Sequence, residues 1–264
     1  MPDWLRLLPD SDHRLQMSLR PGDARRFWAH SADAAAVLAE RARWMTETPD
    51  RYLRVLPEGE EAVTEAIAFM RAQQDRAACP PAQAAVELEP DWIVLAGDAE
   101  RLYPVIGGAV IFPSRWALAE KIGRPLHEVH APVPGLQSSL GTQISTFLQR
   151  LGPHAAWERE NWGLSADPSL NHHPAITIRR LDADATLETT WLRLERQFLT
   201  RLPVTNALLF GIRVTNHRLD HLAALPAVAT RLARALTTMA DDVARYKGLH
   251  EARSSLISAL ESVS

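Results

Sequence analysis

The segment TTWLRLERQFLTRLPVTNALLFGIRVT, residues 189–215, decides the fold class. Two apolar-alternating runs, 189–199 and 207–215, flank TRLPVTN, whose proline and asparagine mark a turn; the segment predicts a hairpin of two long antiparallel strands. Alternation sends Trp191, Arg193, Glu195 and Gln197 to one face, and Leu192, Leu194, Arg196 and Phe198 to the other. On the second strand Leu208, Phe210, Ile212 and Val214 share a face, with Leu209, Gly211, Arg213 and Thr215 opposite. A face carrying Trp, Arg, Glu and Gln is either solvated or the wall of a polar pocket. The loop length suggests a register summing near 408, which would set Glu195 directly opposite Arg213. Such a carboxylate stays ionised and can hold a cationic ligand.

Working outward, short strands are expected over residues 92–96 and 105–112, with paired glycines in the second marking a bulge or a close backbone approach, and a longer one over 157–164. Helical spacing covers 23–45, 60–74, 136–151 and 228–246, and Ser114 can cap another helix carrying Trp116, Leu118 and Ile122. Residues 1–21 read as an extended arm. Helices, strands, helices, a hairpin and closing helices make an α+β fold around an antiparallel sheet, not an alternating βαβ chain. The expected layout is a single domain over 1–264: an N-terminal helical extension (1–75), the sheet and its pocket (90–220) and closing helices (225–262).

Composition narrows the function. The 264 residues are 46% hydrophobic and 23% charged, as in ordinary core-forming chains. With 29 basic and 32 acidic residues the net charge is −3, giving no overall pull toward nucleic acid or anionic membrane. No apolar run approaches a membrane span, and MPDWLRLLPDSD lacks a secretory layout. One cysteine, Cys79, excludes a disulfide framework within the chain, and reducing cytoplasm is the expected compartment. Only Lys121 and Lys247 among the basic residues are lysines, a bias that reads as genomic habit. No GxGxxG follows a strand, and neither GxxxxGK[ST] nor GxSxG occurs, so the common dinucleotide, nucleotide and serine-hydrolase motifs are missing.

Histidines carry the remaining chemistry. His217 and His221 in HRLDH would share a helix face, yet Arg218 stands where a metalloprotease needs glutamate. His172-His173 in a polar loop reads as a surface turn. His130 lies among Val129, Ala131, Pro132 and Val133. An imidazole there is either a satisfied core or turn histidine or an axial ligand for haem iron. Cys79 before Pro80 is the competing thiolate.

Pro113-Ser114-Arg115-Trp116, Glu120-Lys121-Ile122-Gly123 and His130-Ala131-Pro132-Val133-Pro134 strongly resemble the signature run of the haem-dependent oxidative N-demethylase α-subunit family (DUF3445). Asn161-Trp162, the run from Leu192 to Gln197, Arg201-Leu202-Pro203, the run from Leu209 to Arg213 and Tyr246-Lys247-Gly248 agree in order, across about residues 20–260. Gly163 departs from the family pattern, which has serine there, and Phe198 replaces a threonine-like residue. The resemblance implies a PAS-like antiparallel sheet binding haem b, with oxygen-dependent demethylation of a small secondary amine such as dimethylamine. It also implies electrons from NADPH through a separate flavin and iron–sulfur reductase partner. Carried onto this chain, it makes His130 the expected iron ligand. Arg115 and Trp116 become expected haem contacts, Arg115 at a propionate, and Glu195 and Arg213 a distal polar wall acting on the substrate. A haem-PAS gas or redox sensor without catalysis would share the scaffold and ligand.

Overall fold

The computed structural model describes residues 2–263. The predicted hairpin is its central feature. β6 (Trp191–Arg201) and β7 (Leu208–Arg218) pair antiparallel over eleven positions. Around them one seven-stranded sheet forms from β1 (Arg20–Pro21), β2 (Leu53–Val55), β3 (Asp91–Leu95), β4 (Val105–Ala109) and β5 (Trp157–Ser165), in the order β1-β5-β6-β7-β3-β4-β2. Every neighbouring pair is antiparallel. Residues 1–75 therefore add two short strands to the sheet besides their helices.

The hairpin register corrects one expectation. A four-residue turn over 203–206, closed by Leu202 N donating to Ala207 O and using Asn206 at φ +60°, gives a register sum of 409 rather than 408. Glu195 faces Val214, while Arg213 faces Arg196. A shift of one residue moves a side chain to the other sheet face, so Glu195 and Arg213 do not meet.

Two apolar cores cover the sheet. One gathers Phe27, Trp28, Trp92, Phe198 and Leu209 with the helix Glu60–Ala72; Phe198 stacks on Phe27 with ring centroids 5.1 Å apart. The other sets Leu192 and Leu194 against Leu232, Leu236 and Leu256 of the C-terminal helices. Each buried leucine contributes roughly 2 kcal/mol of transfer free energy. The expected single helix over 228–246 is two, Pro226–Thr238 and Asp241–Tyr246, because Met239 and Ala240 are extended. Residues 4–7 form a short helix, and the expected helix after Ser114 shrinks to one 3₁₀ turn, Leu118–Glu120. The glycines of VIGG are used by protein packing: a Cβ at Gly107 would lie 2.6 Å from Val63, and one at Gly108 2.7 Å from Trp92 O. No described helix is long and apolar enough to cross a membrane.

Candidate functional site

Pairing across β5, β6 and β7 stacks polar residues in rows on one sheet face. Arg159 pairs with Gln197, Asn161 with Glu195, and Gly163 with Arg193. At the centre is Glu195, which accepts from Ser114 Oγ at 2.5 Å, Gln197 Nε2 at 3.0 Å and Asn161 Nδ2 at 3.4 Å. No cationic side chain lies within ion-pair distance of Glu195 among the described residues. The Ser114 contact has a fixed direction: its oxygen accepts from Arg193 Nε at 2.8 Å, so its proton points to Glu195.

Arg193 organises the loops around this carboxylate. It is buried, and its guanidinium donates to the carbonyls of Phe112 (2.9 Å) and Leu170 (2.7 Å) as well as to Ser114. Burial pulls its pKa down to about 10 although the charges of Glu195 and Asp91 oppose the fall. The segment it holds sets Ser114 beside His172: Arg115 N donates to His172 O, and His172 N to Pro113 O. Arg115 itself adopts φ +65°, a left-handed backbone that a non-glycine residue keeps only when its surroundings impose it. Its guanidinium lies against Gly248, where any Cβ would collide with it.

Cations on this face lack carboxylates. Arg115 has no ion pair among the described residues, and burial and the charge of Arg180 lower its pKa. Arg159 donates one long bond of 3.4 Å, from Nη2 to Gln16 O, and its Nε is buried without a partner. Desolvation lowers its pKa while Glu195 opposes the change. Lys247 Nζ donates to Trp162 O at 2.7 Å, 5.4 Å from the Trp162 ring, and burial lowers its pKa. Cations left short of acceptors suit an anionic ligand; a carboxylate held by neutral donors suits a cationic one.

Two imidazoles flank the region. His130 ends the helix Leu126–His130 and is half-buried; burial, then the charges of Arg159 and Lys121, lower its pKa to about 4. It presents a neutral nitrogen across the physiological range. His172, expected on the surface, is only 2% exposed, with its Nε2 buried and unpartnered and its pKa lowered to about 4 by burial and Arg193. The polar run SLNHHP gave no sign of this burial. It arises because Asn171 donates to Tyr52 at 2.8 Å and the 113–115 segment brackets His172. A neighbouring proline alone could not have shown it.

Other candidates are placed elsewhere. Arg213 lies on the opposite face; it pairs with Glu89 at 2.5 Å and donates to Phe27 O and Ala29 O, both at 2.7 Å. These partners tie the N-terminal segment to the sheet. Trp116 is partly buried against the first core, directly after Arg115. His217 is in β7 and bonds Thr215 at 2.9 Å, whereas His221 is exposed on the helix Leu219–Ala223, so they do not share a helix. Cys79 sits beside Arg71 and Glu87, and burial raises its pKa, which keeps it a thiol. Among the described residues no group of three or more His, Cys, Asp and Glu could hold a metal ion by itself. Clefts of about 290 Å³ by Asp241 and Arg253, and about 340 Å³ by Tyr103 and Arg201, contain none of the Glu195 face residues.

At Gly163, on the same face as Glu195, an added Cβ would meet nothing within 4 Å. The sheet here adjoins open space. Against known families, residues 73–257 match the model of the haem-dependent oxidative N-demethylase, alpha subunit-like family.

Proposed function

The chain belongs to that family, and from this premise we propose that it is a haem-dependent oxidoreductase that demethylates a small secondary amine of the dimethylamine type, using dioxygen. Electrons would come from NADPH through a flavin and iron–sulfur reductase partner, in the cytoplasm. The fold is then a PAS-like sheet of one domain. The observation that supports the reading best is the charge mismatch on the Glu195 face. Glu195 accepts only from neutral donors, while Arg159, whose charge it supports from beyond ion-pair distance, and Arg115, next to Ser114, make no ion pair among the described residues.

The residues present fit haem b. Its two propionates need cations in a partly dry setting, and Arg115 and Arg159 Nε offer them. His130 would hold the iron, since a neutral imidazole is the ligating form and its lowered pKa keeps that form available. Trp116 would flank the ring. His172, equally neutral and with a free Nε2, is the competing ligand. Bound haem would supply the redox-active iron for dioxygen chemistry.

The chain's own residues do the rest. A dialkylamine is a cation near neutral pH, so its N–H groups bind the Glu195 carboxylate, which Ser114, Gln197 and Asn161 aim. Before oxidation the ammonium must lose a proton, and Glu195 would receive it. The open space at Gly163 sets room for the alkyl group. Glu195→Gln tests this directly: the haem-loaded variant should keep its Soret band and lose the spectral shift that dimethylamine induces. Equal amine affinity in variant and parent removes Glu195 from the site.

A further inference from the structure

Residues 8–19 form neither helix nor strand, yet they are tied down along their length. Arg234 of the helix Pro226–Thr238 pairs with Asp10 Oδ1 at 2.9 Å and Asp12 Oδ1 at 3.0 Å. His13 N donates to Thr238 Oγ1 of the same helix at 2.8 Å. The His13 ring then stands edge-on to Trp162, with centroids 6.4 Å apart, on the residue whose ring Lys247 also approaches. Two residues on, Leu15 Cδ1 reaches the turn at Gly135 that follows His130, and at the next position Gln16 O takes the single hydrogen bond of Arg159. The alternation is that of a cover: His13 and Leu15 are partly buried, Asp12 and Arg14 exposed.

We infer that residues 9–19 are a strap closing the Arg159–Lys247 side of the site, latched by Arg234 to Asp10 and Asp12, and that they limit which ligands enter. The inference rests on the proposed site on the β5–β6 face. The strap lies outside the region matched to the family, residues 73–257. The design is consistent: the latch is a pair of exposed ion pairs, individually weak, and the one bond the strap makes to the site's cations is the long one at Arg159. A ligand anion that takes Arg159 displaces Gln16 at little cost. The His13 imidazole, whose pKa is lowered by burial and by Lys247, packs on Trp162, which belongs to the C-terminal core face, and so anchors the strap at the sheet edge.

The two lysines make a test that does not depend on haem. Lys247 approaches the same Trp162 ring as His13 of the strap and acts on that imidazole, and Lys121 is an internal reference. Brief acetylation of the full chain, read by mass spectrometry, gives the ratio of Lys247 to Lys121 labelling. Tryptic cleavage after Arg14 reports strap release, since Arg20 is followed by proline. Arg234→Gln breaks the latch from the helix, and the Asp10→Asn/Asp12→Asn double variant breaks it from the strap. Both should raise the labelling ratio and the Arg14 cleavage rate by roughly three- to tenfold, and 0.5 M salt should do the same to the parent but little to the variants. Unchanged Arg14 cleavage in both variants overturns the latch. Faster cleavage with an unchanged lysine ratio overturns the covering role. Haemin uptake followed in parallel separates the two readings: failure of every protein to take up haemin removes the proposed cofactor, while the labelling ratio still decides the strap.

Discussion

Asp91 and Glu195 project from the same face of one sheet, with only β7 between their strands, and their surroundings are opposite. Asp91 is 1% exposed and meets Arg41 Nη1 at 2.7 Å, with the amides of Ile111 and Phe112 at 2.8 and 2.9 Å. Arg41 in turn donates to Ala85 O and Glu89 O. Charge meets charge there, and the strand end is locked. Glu195 has only hydroxyl and amide donors, and the guanidiniums nearest in function, Arg159 and Arg115, end without carboxylates. A folded chain gains nothing by leaving charges so poorly matched unless something else completes them. We read the first arrangement as scaffold and propose the second as a receptor; residue type alone does not separate them.

The comparison breaks most visibly at the imidazoles. His130→Ala should abolish the Soret band of the haem-loaded protein, whereas His172→Ala should leave it. The opposite pattern in the absorption spectra would transfer the ligand role to His172. At the scaffold end, Arg41→Met leaves Asp91 buried without its cation and should cost about 3–5 kcal/mol in denaturant unfolding of the apoprotein. A loss below about 1 kcal/mol would mean that Asp91 is no more locked than Glu195.

Acid probes the same contrast. The His172 imidazole has a folded-state pKa of about 4 against an ordinary 6.5. Its contribution to stability is therefore complete above pH 6.5 and is lost as pH falls from 6.5 toward about 4. That gap corresponds to at most about 3 kcal/mol. In unfolding titrations His172→Gln should flatten this part of the curve, and an unaltered slope would contradict a buried neutral His172. Arg115→Gly removes the guanidinium and keeps a backbone that tolerates φ +65°. Haem affinity should fall about tenfold or more, the scale of one charge-assisted hydrogen bond, with little change in stability. Glu195→Gln should be the mildest change to the fold, about 1 kcal/mol or less, because an amide still accepts from Ser114.

Sequence showed much of this architecture. Alternation in 189–215 located both central strands to within two or three residues, and the helices at 60–72 and 136–150 followed from their spacing. The register did not follow, because a turn with Asn206 at positive φ differs from its neighbours in length by one residue, and one residue exchanges faces. That slip separated Arg213 from Glu195 and hid the true partners, Glu89 for the one and Ser114 for the other. Both partners are more than 80 positions away, beyond any local pattern. His172 was missed for a related reason: Tyr52 and the 113–115 segment bury it, and neither is near in sequence. The motifs that carry the family resemblance include Ser114, which bonds Glu195, Arg115 beside it, and Lys247, whose charge Glu195 supports.

The most direct test of a haem site completed by an amine is the absorption spectrum of the full chain expressed with haem supply, in oxidised, dithionite-reduced and carbon-monoxide-bound forms, followed by dimethylamine titration of the oxidised protein. The account predicts a Soret band that moves on reduction and again with carbon monoxide, and an amine-induced shift that Glu195→Gln abolishes. A protein that stays colourless after haem reconstitution would contradict it, and would leave the Arg115 and Arg159 cations to some other anion.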